Sequence, residues 1–150
     1  MNPETLFGVD LESIRERLET LGYFTSVQDI QGGAEALSGL TAFLPPAAFV
    51  SVARESYEGN KLATGGHSQR ANPVVSILFC VPSQRADNAA GDEVEQARKA
   101  IAGLLKGWQP PGAMKPLELV DYRVRLIADG LVWGEWQMKT AFALSTVASA

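Results

Sequence analysis

Two long runs of alternating apolar and polar residues, 117–128 and 132–146, meet at Asp129-Gly130 near the end of the chain. Apolar side chains occupy even positions in both runs, as at Val124 and Trp136. Alternation with a period of two predicts strands, and an Asp-Gly pair between two such runs predicts a β-hairpin. This hairpin constrains the fold more than any other stretch of the sequence.

The length of the hairpin loop decides which side chains share a face. A two-residue turn would pair Ala128 with Leu131 and would set the two apolar faces on opposite sides of the hairpin. A three-residue loop, 129–131 with Gly130 in the left-handed conformation, aligns the apolar faces. The register of this loop also creates two favourable cross-strand charge pairs, Arg125 with Glu135 and Asp121 with Lys139. We therefore predict the three-residue loop.

The preceding residues predict two helices and three more strands. Apolar stripes at helical spacing follow two acidic residues that can cap a helix, Asp10 and Asp92. The run Val74–Val81 is apolar on both faces, as is typical of a central strand, and Cys80 within it is expected to be an inert core thiol. The other predicted strands are 23–29 and 47–54. Strands outnumber helices, so we expect an α+β fold in which two helices pack on a mainly antiparallel or mixed sheet.

A long polar stretch, 55–72, contains three glycines and almost no large apolar residue. Connections of this length are uncommon in compact domains and are often functional or disordered. The stretch is either the mobile tip of a hairpin or an arm that becomes ordered against a partner. We expect residues 1–150 to form a single domain that includes this mobile loop.

Composition excludes several classes of protein. The net charge is −4 and the basic residues are dispersed, which gives no support for nucleic-acid binding. No apolar run approaches the ~18 residues that a membrane span requires. The N-terminus lacks the basic start and apolar core of a signal peptide, and a single cysteine cannot form an internal disulfide. Synthesis in a reducing cytoplasm is therefore expected.

No constellation of reactive side chains is evident. His67 is the only histidine and has no acidic cluster or cysteine at ligand spacing, whereas a metal site needs three or four convergent ligands. No glycine-rich phosphate loop follows a strand. We expect no catalytic site, no cofactor and no metal, and hence a protein that is not an enzyme.

The tryptophans and nearby charges favour a role in binding other proteins. Trp136 is expected in the core. Trp133 is predicted to lie on the polar face beside Arg125 and Glu135, where an aromatic residue either belongs to an interface or covers ordinary surface. The candidate interface residues come from the polar stretch and from the hairpin: Lys61, His67, Arg70, Arg123, Arg125, Trp133 and Glu135.

A short set of motifs connects the second helix to the hairpin. It comprises Gly107-Trp108-x-Pro110-Pro111-Gly112, Pro116-Leu117-Glu118-Leu119, Asp129-Gly130-Leu131-Val132-Trp133, and the aromatic Phe142. With these motifs the chain resembles the tail terminator proteins of long-tailed bacteriophages and prophages. The resemblance implies an α/β sandwich and a homo-oligomeric ring, commonly a hexamer. Such a ring sits on the last ring of tail-tube subunits, ends tube polymerisation and presents its other face to a head-completion protein. It also implies a place in the virion tail, after assembly in the cytoplasm of the bacterial host.

Two other functions are compatible with the sequence. One is a different head–tail joining protein or a tail-tube protein, which would polymerise by itself. The other is a small ligand-binding or enzymatic α+β domain, which would need a polar, concave site near Tyr122 or His67.

Overall fold

The computed structural model describes residues 9–28, 44–59, 66–82 and 88–147. These residues form two helices and six strands. The helices are α1 (Leu11–Glu19) and α2 (Asn88–Leu105). The strands are β1 (Ser26–Gln28), β2 (Ala47–Tyr57), β3 (Gly66–Pro82), β4 (Glu118–Ala128), β5 (Leu131–Lys139) and β6 (Phe142–Val147).

All six strands belong to one mixed sheet with the order β1-β2-β3-β5-β4. β1 runs parallel to β2, and the remaining pairs are antiparallel. β6 continues the path of β5 and pairs with the first part of β3, so β3 is hydrogen-bonded on both sides. The predicted α+β class is confirmed, and so is the central position of residues 74–81.

The two helices pack on one face of the sheet and form the main core with it. α1 begins at its predicted cap, where the Asp10 side chain accepts a hydrogen bond from the backbone N–H of Ser13 at 3.2 Å. Ile14 and Leu18 point from α1 into the core, and Ile101 and Leu105 do so from α2. α2 starts at Asn88, four residues before the predicted cap at Asp92. The sequence Asn-Ala-Ala-Gly is thus helical although the prediction placed it in a loop.

The hairpin loop differs from the prediction. Ala128 pairs directly with Leu131, so Asp129-Gly130 forms a two-residue turn. The φ angles of these two residues are 54° and 74°, as a type I′ turn requires. The three-residue loop is therefore wrong.

A β-bulge in β4 corrects the mismatch that had favoured a longer loop. The register shifts once between Val124 and Leu126 and again between Leu119 and Asp121. The first bulge brings Tyr122 opposite Trp136, which aligns the apolar side chains as the three-residue loop would have done. The extra residue needed for this alignment lies inside the strand and not in the turn.

The long polar stretch is largely strand. β2 continues to Tyr57, and β3 begins at Gly66, where the structure next describes the chain. Within the predicted loop, Tyr57 pairs with Ala71, and residues 66–71 pair with β6. Alternation is weak here because these strands carry polar residues on both faces, so the pairing with neighbouring strands determines the structure. The mobility of the remaining tip stays a prediction.

Candidate interaction surface at the edge of the sheet

The edge strand β4 exposes a row of large apolar side chains. The exposed fractions are 36% for Leu119, 41% for Val120, 49% for Val124, 40% for Leu126 and 70% for Ile127. The sequence predicted that the even positions of this strand share one apolar face, but the bulge at Arg125 puts Leu126 on the face of Trp133 and Val124 on the face of Phe79. We call these five residues the β4 apolar row.

The width of the helix layer explains why the residues of the row on the helix side, Leu119, Val124 and Ile127, are exposed, whereas Leu126 lies on the other face beside Trp133. Each helix is about 10 Å in diameter, and neighbouring strands are about 4.8 Å apart. Two helices side by side therefore cover about four strands, and β4 is the fifth strand in the sheet order. An exposed edge strand with apolar side chains favours pairing with another chain, so β4 is the candidate interaction surface.

Arginines from β4 engage a buried carboxylate on the opposite face of the sheet. Glu135 is 6% exposed and accepts a hydrogen bond of 2.5 Å from the Ser76 hydroxyl and one of 2.8 Å from Arg125. The Nε of Arg123 lies 3.5 Å from the same carboxylate. The predicted Arg125–Glu135 pair is present despite the different register. Asp121 instead lies opposite Gln137, and Lys139 is 3.7 Å from Glu118, so the predicted Asp121–Lys139 pair is wrong.

Tyr122 anchors β4 to the helix layer. The guanidinium of Arg98 in α2 lies 4.1 Å from the centre of the Tyr122 ring, which is a cation–π distance. The indole N–H of Trp136 donates a hydrogen bond of 3.0 Å to the backbone carbonyl of Arg98. Burial raises the pKa of the Tyr122 hydroxyl. The space around Tyr122 is filled by Arg98, Trp136 and Phe79, so this position is packed and not concave.

Trp133 is buried, with only 3% of its surface exposed. Its ring stacks on Phe49 with centroids 5.9 Å apart, in a second apolar cluster that includes Cys80. The predicted location of Trp133 on a polar surface is therefore wrong, while Trp136 is in the core as predicted. Burial raises the pKa of the Cys80 thiol to about 12, in agreement with the predicted inert core cysteine.

Of the remaining interface candidates, Arg70 lies in β3 and lines a cavity together with Glu118 at the start of β4. The Nε of Arg70 is 3.3 Å from the Glu58 carboxylate. The backbone of His67 pairs with Thr146 in β6. Lys61 lies outside the described residues. Among the described side chains, Arg123, Arg125 and Glu135 come together in one cluster, and the interface role of all seven residues stays a prediction.

A groove lies at the opposite edge of the sheet, between α1 and strands β1 and β2. Its volume is about 440 Å³, and it is lined by Leu11, Glu12, Arg15, Val27, Gln28 and Val50. Val27 and Val50 are buried core residues and form an apolar floor. Glu12 and Arg15 form an ion pair on its polar rim. We call this cavity the α1 groove.

The motif between α2 and β4 forms a compact turn. Gly107 and Gly112 have φ angles of 81° and 82°, a region that strongly favours glycine. The backbone N–H of Leu117 donates to the carbonyl of Trp108 at 2.9 Å. The guanidinium of Arg17 lies 4.8 Å from the Trp108 ring. The motif thus ends α2, fixes its contact with α1 and redirects the chain into the hairpin.

Among the described residues, no group of three or more histidine, cysteine or acidic side chains is arranged to hold a metal ion. None of the helices in that part of the chain is long and apolar enough to cross a membrane.

One known protein family matches almost the whole chain. The sequence model of the family described as phage tail terminator protein matches residues 6–146. The chain belongs to the phage tail terminator family. The expectation drawn from the Gly107–Gly112 and Asp129–Trp133 motifs is confirmed, and the chain is a structural protein of a phage tail.

The fold of this tail terminator family member also occurs in a solved particle. A chain of the structure titled "Virion of native gene transfer agent (GTA) particle" superposes with a TM-score of 0.53. The two chains are 15% identical, and the match covers 91% of this chain and 96% of the other. At this identity the similarity establishes the fold alone. No curated protein sequence matches the chain significantly.

Proposed function

We propose that this protein caps the growing end of the phage tail tube, ends its polymerisation and provides the surface to which the head attaches. The observation that carries the proposal is the family match over residues 6–146. We further propose that it acts without catalysis or a cofactor, as a ring of identical subunits whose partners are a tail-tube protein and a head-completion protein. A hexamer is the ring size that the family resemblance favours.

Capping in this form depends on binding energy alone. A ring bound to the tube end covers the surface on which the next tube ring would add. Its opposite face differs from that surface and offers a different binding site. Closed rings require heterologous contacts, in which two different surfaces of each subunit meet. The β4 apolar row is one such surface, because an exposed apolar edge strand favours association.

The test is polymerisation of the tail-tube protein from the same phage or prophage, with and without this chain. Electron microscopy gives the distribution of tube lengths and shows whether extra density sits at one tube end. We expect shorter tubes with a cap at one end when the chain is added. Unchanged tube lengths and bare ends would overturn the proposal. Long tubes formed by this chain alone would instead identify it as a tube protein.

Head attachment is tested on the capped tubes. Capped and uncapped tubes are mixed with filled heads that carry their head-completion protein, and attached particles are counted. We expect attachment only at capped ends. Equal attachment to uncapped tubes would show that the cap does not provide the head-binding surface.

A further inference from the structure

The edge strand β4 is open to solvent along its length. It is the last strand in the sheet order, and of its 11 residues all but Tyr122 and Ala128 are exposed. The strand at the opposite edge, β1, has only 3 residues. An exposed edge strand presents backbone N–H and C=O groups with which a strand of another chain can pair. The side chains of β4 indicate which strand that is.

The sequence of β4 is complementary to itself when two copies run antiparallel about Arg123. Leu119 of each copy then lies opposite Ile127 of the other, which forms an apolar pair. Asp121 lies opposite Arg125, which forms a pair of opposite charge. We infer that two copies of this chain form a dimer through β4, with Arg123 on the two-fold axis. The dimer goes beyond the proposed function and does not rest on it.

The faces of the sheet agree with this register on the helix side. Leu119 pairs with Met138, and Ile127 pairs with Val132. Met138 and Val132 are both residues of the main core, so Leu119 and Ile127 project on the same face, as antiparallel neighbours must. A register shifted by one residue would instead set side chains from opposite faces against each other. Leu119 and Ile127 are both exposed, so both have apolar surface left to bury.

The faces also agree on the other side of the sheet. Asp121 pairs with Gln137, and Arg125 donates a hydrogen bond of 2.8 Å to Glu135. Gln137 and Glu135 are alternate residues of β5, so their side chains share a face. The bulge in β4 thus brings Arg125 to the face of Asp121. A guanidinium has five N–H donors, so Arg125 can bind Glu135 of its own subunit and Asp121 of the second copy together.

Charge balance favours a second copy at this place. Arg123 and Arg125 both lie within 4 Å of the single carboxylate of Glu135, at 3.5 and 2.8 Å, so this cluster of three side chains has a net positive charge. Asp121 of the second copy brings a negative charge to it. Arg123 meets its own copy on the axis, but each copy arrives with its Glu135 partner, which reduces the repulsion between them.

The dimer and the proposed ring exclude each other. A two-fold contact uses the same patch on both subunits and closes at two. It covers the β4 apolar row, which the ring also uses. The dimer is therefore a form of the free chain, and it has to open before a ring closes on a tube.

The first experiment measures association of the free chain by sedimentation velocity and native mass spectrometry. The variants are Leu119→Lys, Ile127→Glu and the double variant that carries both changes. We expect dimers of the unmodified chain and association at least about 10-fold weaker for each single variant, because both copies of the apolar pair then hold a charge. The double variant should associate more tightly than either single variant, since the introduced lysine and glutamate face each other.

This recovery can come only from contact between two subunits. Positions 119 and 127 of one strand are about 26 Å apart, so the two introduced charges do not meet within one chain. A monomeric unmodified chain, or a double variant that is not tighter than both single variants, would overturn the inference.

Matched controls separate this effect from general changes in charge. Leu44 is 71% exposed and Met114 is 50% exposed, and both lie outside β4. Leu44→Lys and Met114→Glu should therefore dimerise like the unmodified chain. Disruption by either control equal to that of the single variants would overturn the assignment to β4. Circular dichroism confirms that each variant is folded.

The second experiment tests the position of the axis by oxidation. Two copies of Arg123→Cys should form a disulfide-linked dimer, because the two residues at the axis face each other. In Asp121→Cys the two cysteines would be about 13 Å apart along the strands, beyond the Cα separation of about 7 Å that a disulfide spans. The unmodified chain, whose Cys80 is buried, is the control for the native thiol. Failure of Arg123→Cys to cross-link, or equal cross-linking of Asp121→Cys, would overturn the register.

The linked dimer also tests the exclusion of the ring. Oxidised Arg123→Cys should leave tube lengths unchanged in the polymerisation assay, and reduction should restore capping. An oxidised dimer that caps tubes would show that the dimer and the ring do not share β4. If the dimer forms but the unmodified chain fails to cap tubes, the dimer stands and the proposed function fails.

Discussion

Gly134 lies where an additional methyl group has no room. A Cβ built on Gly134 would lie 2.6 Å from Cζ of Phe79 and 2.8 Å from the Tyr122 hydroxyl. Phe79 is fully buried and stacks with Tyr122, with ring centroids 6.2 Å apart. Neither ring can therefore move away without disturbing the core. The substitution Gly134→Ala tests this packing directly.

The expected magnitude follows from two opposing contributions. Overpacking a well-packed core costs about 1–3 kcal/mol. Replacing glycine by alanine within a strand recovers about 0.5–1 kcal/mol of backbone entropy. Three contacts under 3.0 Å place the cost in the upper part of that range, about 2–3 kcal/mol. The free energy of unfolding should therefore fall by about 1–2.5 kcal/mol, which for a chain of this size lowers the Tm by about 2–10 °C. Urea unfolding followed by tryptophan fluorescence measures the change.

The matched control is the same chemical change at Gly103 in α2, where an added Cβ meets nothing within 4 Å. There the helix propensity of alanine should raise the stability by about 0.5–1 kcal/mol. The two Gly→Ala changes thus have opposite expected signs. Adding Tyr122→Phe to Gly134→Ala should restore only part of the loss, since Phe79 remains in contact. Equal stability of Gly134→Ala and the unmodified protein would refute the packing argument.

Three further predictions concern buried polar groups. The Tyr122 hydroxyl is buried and has no hydrogen-bond partner in the described part of the chain, so Tyr122→Phe should leave the stability unchanged or raise it by up to about 1 kcal/mol; a loss above 1 kcal/mol would show a missing partner. Glu135→Ala should lower the free energy of unfolding by about 3 kcal/mol because it removes the acceptor of a buried hydrogen-bond network. Glu118→Ala on the surface should change the free energy of unfolding by under about 0.5 kcal/mol. Equal losses for the two variants would contradict this prediction. The raised pKa of Cys80 keeps the thiol of the folded protein protonated, so this thiol should react with maleimide at pH 8 only after unfolding. The thiol of the unfolded chain ionises at a lower pH than that of the folded protein. The contribution of Cys80 to stability should therefore be lost as the pH rises from about 9 towards 12.

The hairpin shows what alternation along a sequence can and cannot predict. It correctly indicated that the apolar side chains of the two strands must share a face, and that Arg125 must meet Glu135. It did not indicate where the residue that restores the alignment is placed. A bulge and a longer loop both shift the register by one residue, and the bulge at Arg125 leaves the favourable type I′ turn intact.

Exposure was harder to predict than secondary structure. The position of β4 at the edge of the sheet depends on the order of strands, which involves contacts between distant parts of the chain. Trp133 was misplaced for the same reason, because β5 lies between two strands and carries buried side chains on both faces. One signal was available: the adjacent apolar pairs Leu119-Val120 and Leu126-Ile127 place apolar residues on both faces of β4.

The length of β3 has a mechanical consequence. Its 17 residues span up to about 55 Å at about 3.4 Å per residue, whereas a compact chain of this size has a radius of gyration of only about 15 Å. The strand is hydrogen-bonded to β2 on one side and to β5 and β6 on the other, which should make it stiff. A force applied along β3 at Gly66 should reach Pro82 by shearing the hydrogen bonds between β3 and its neighbouring strands. We therefore expect a displacement at one end of β3 to move the other end as well.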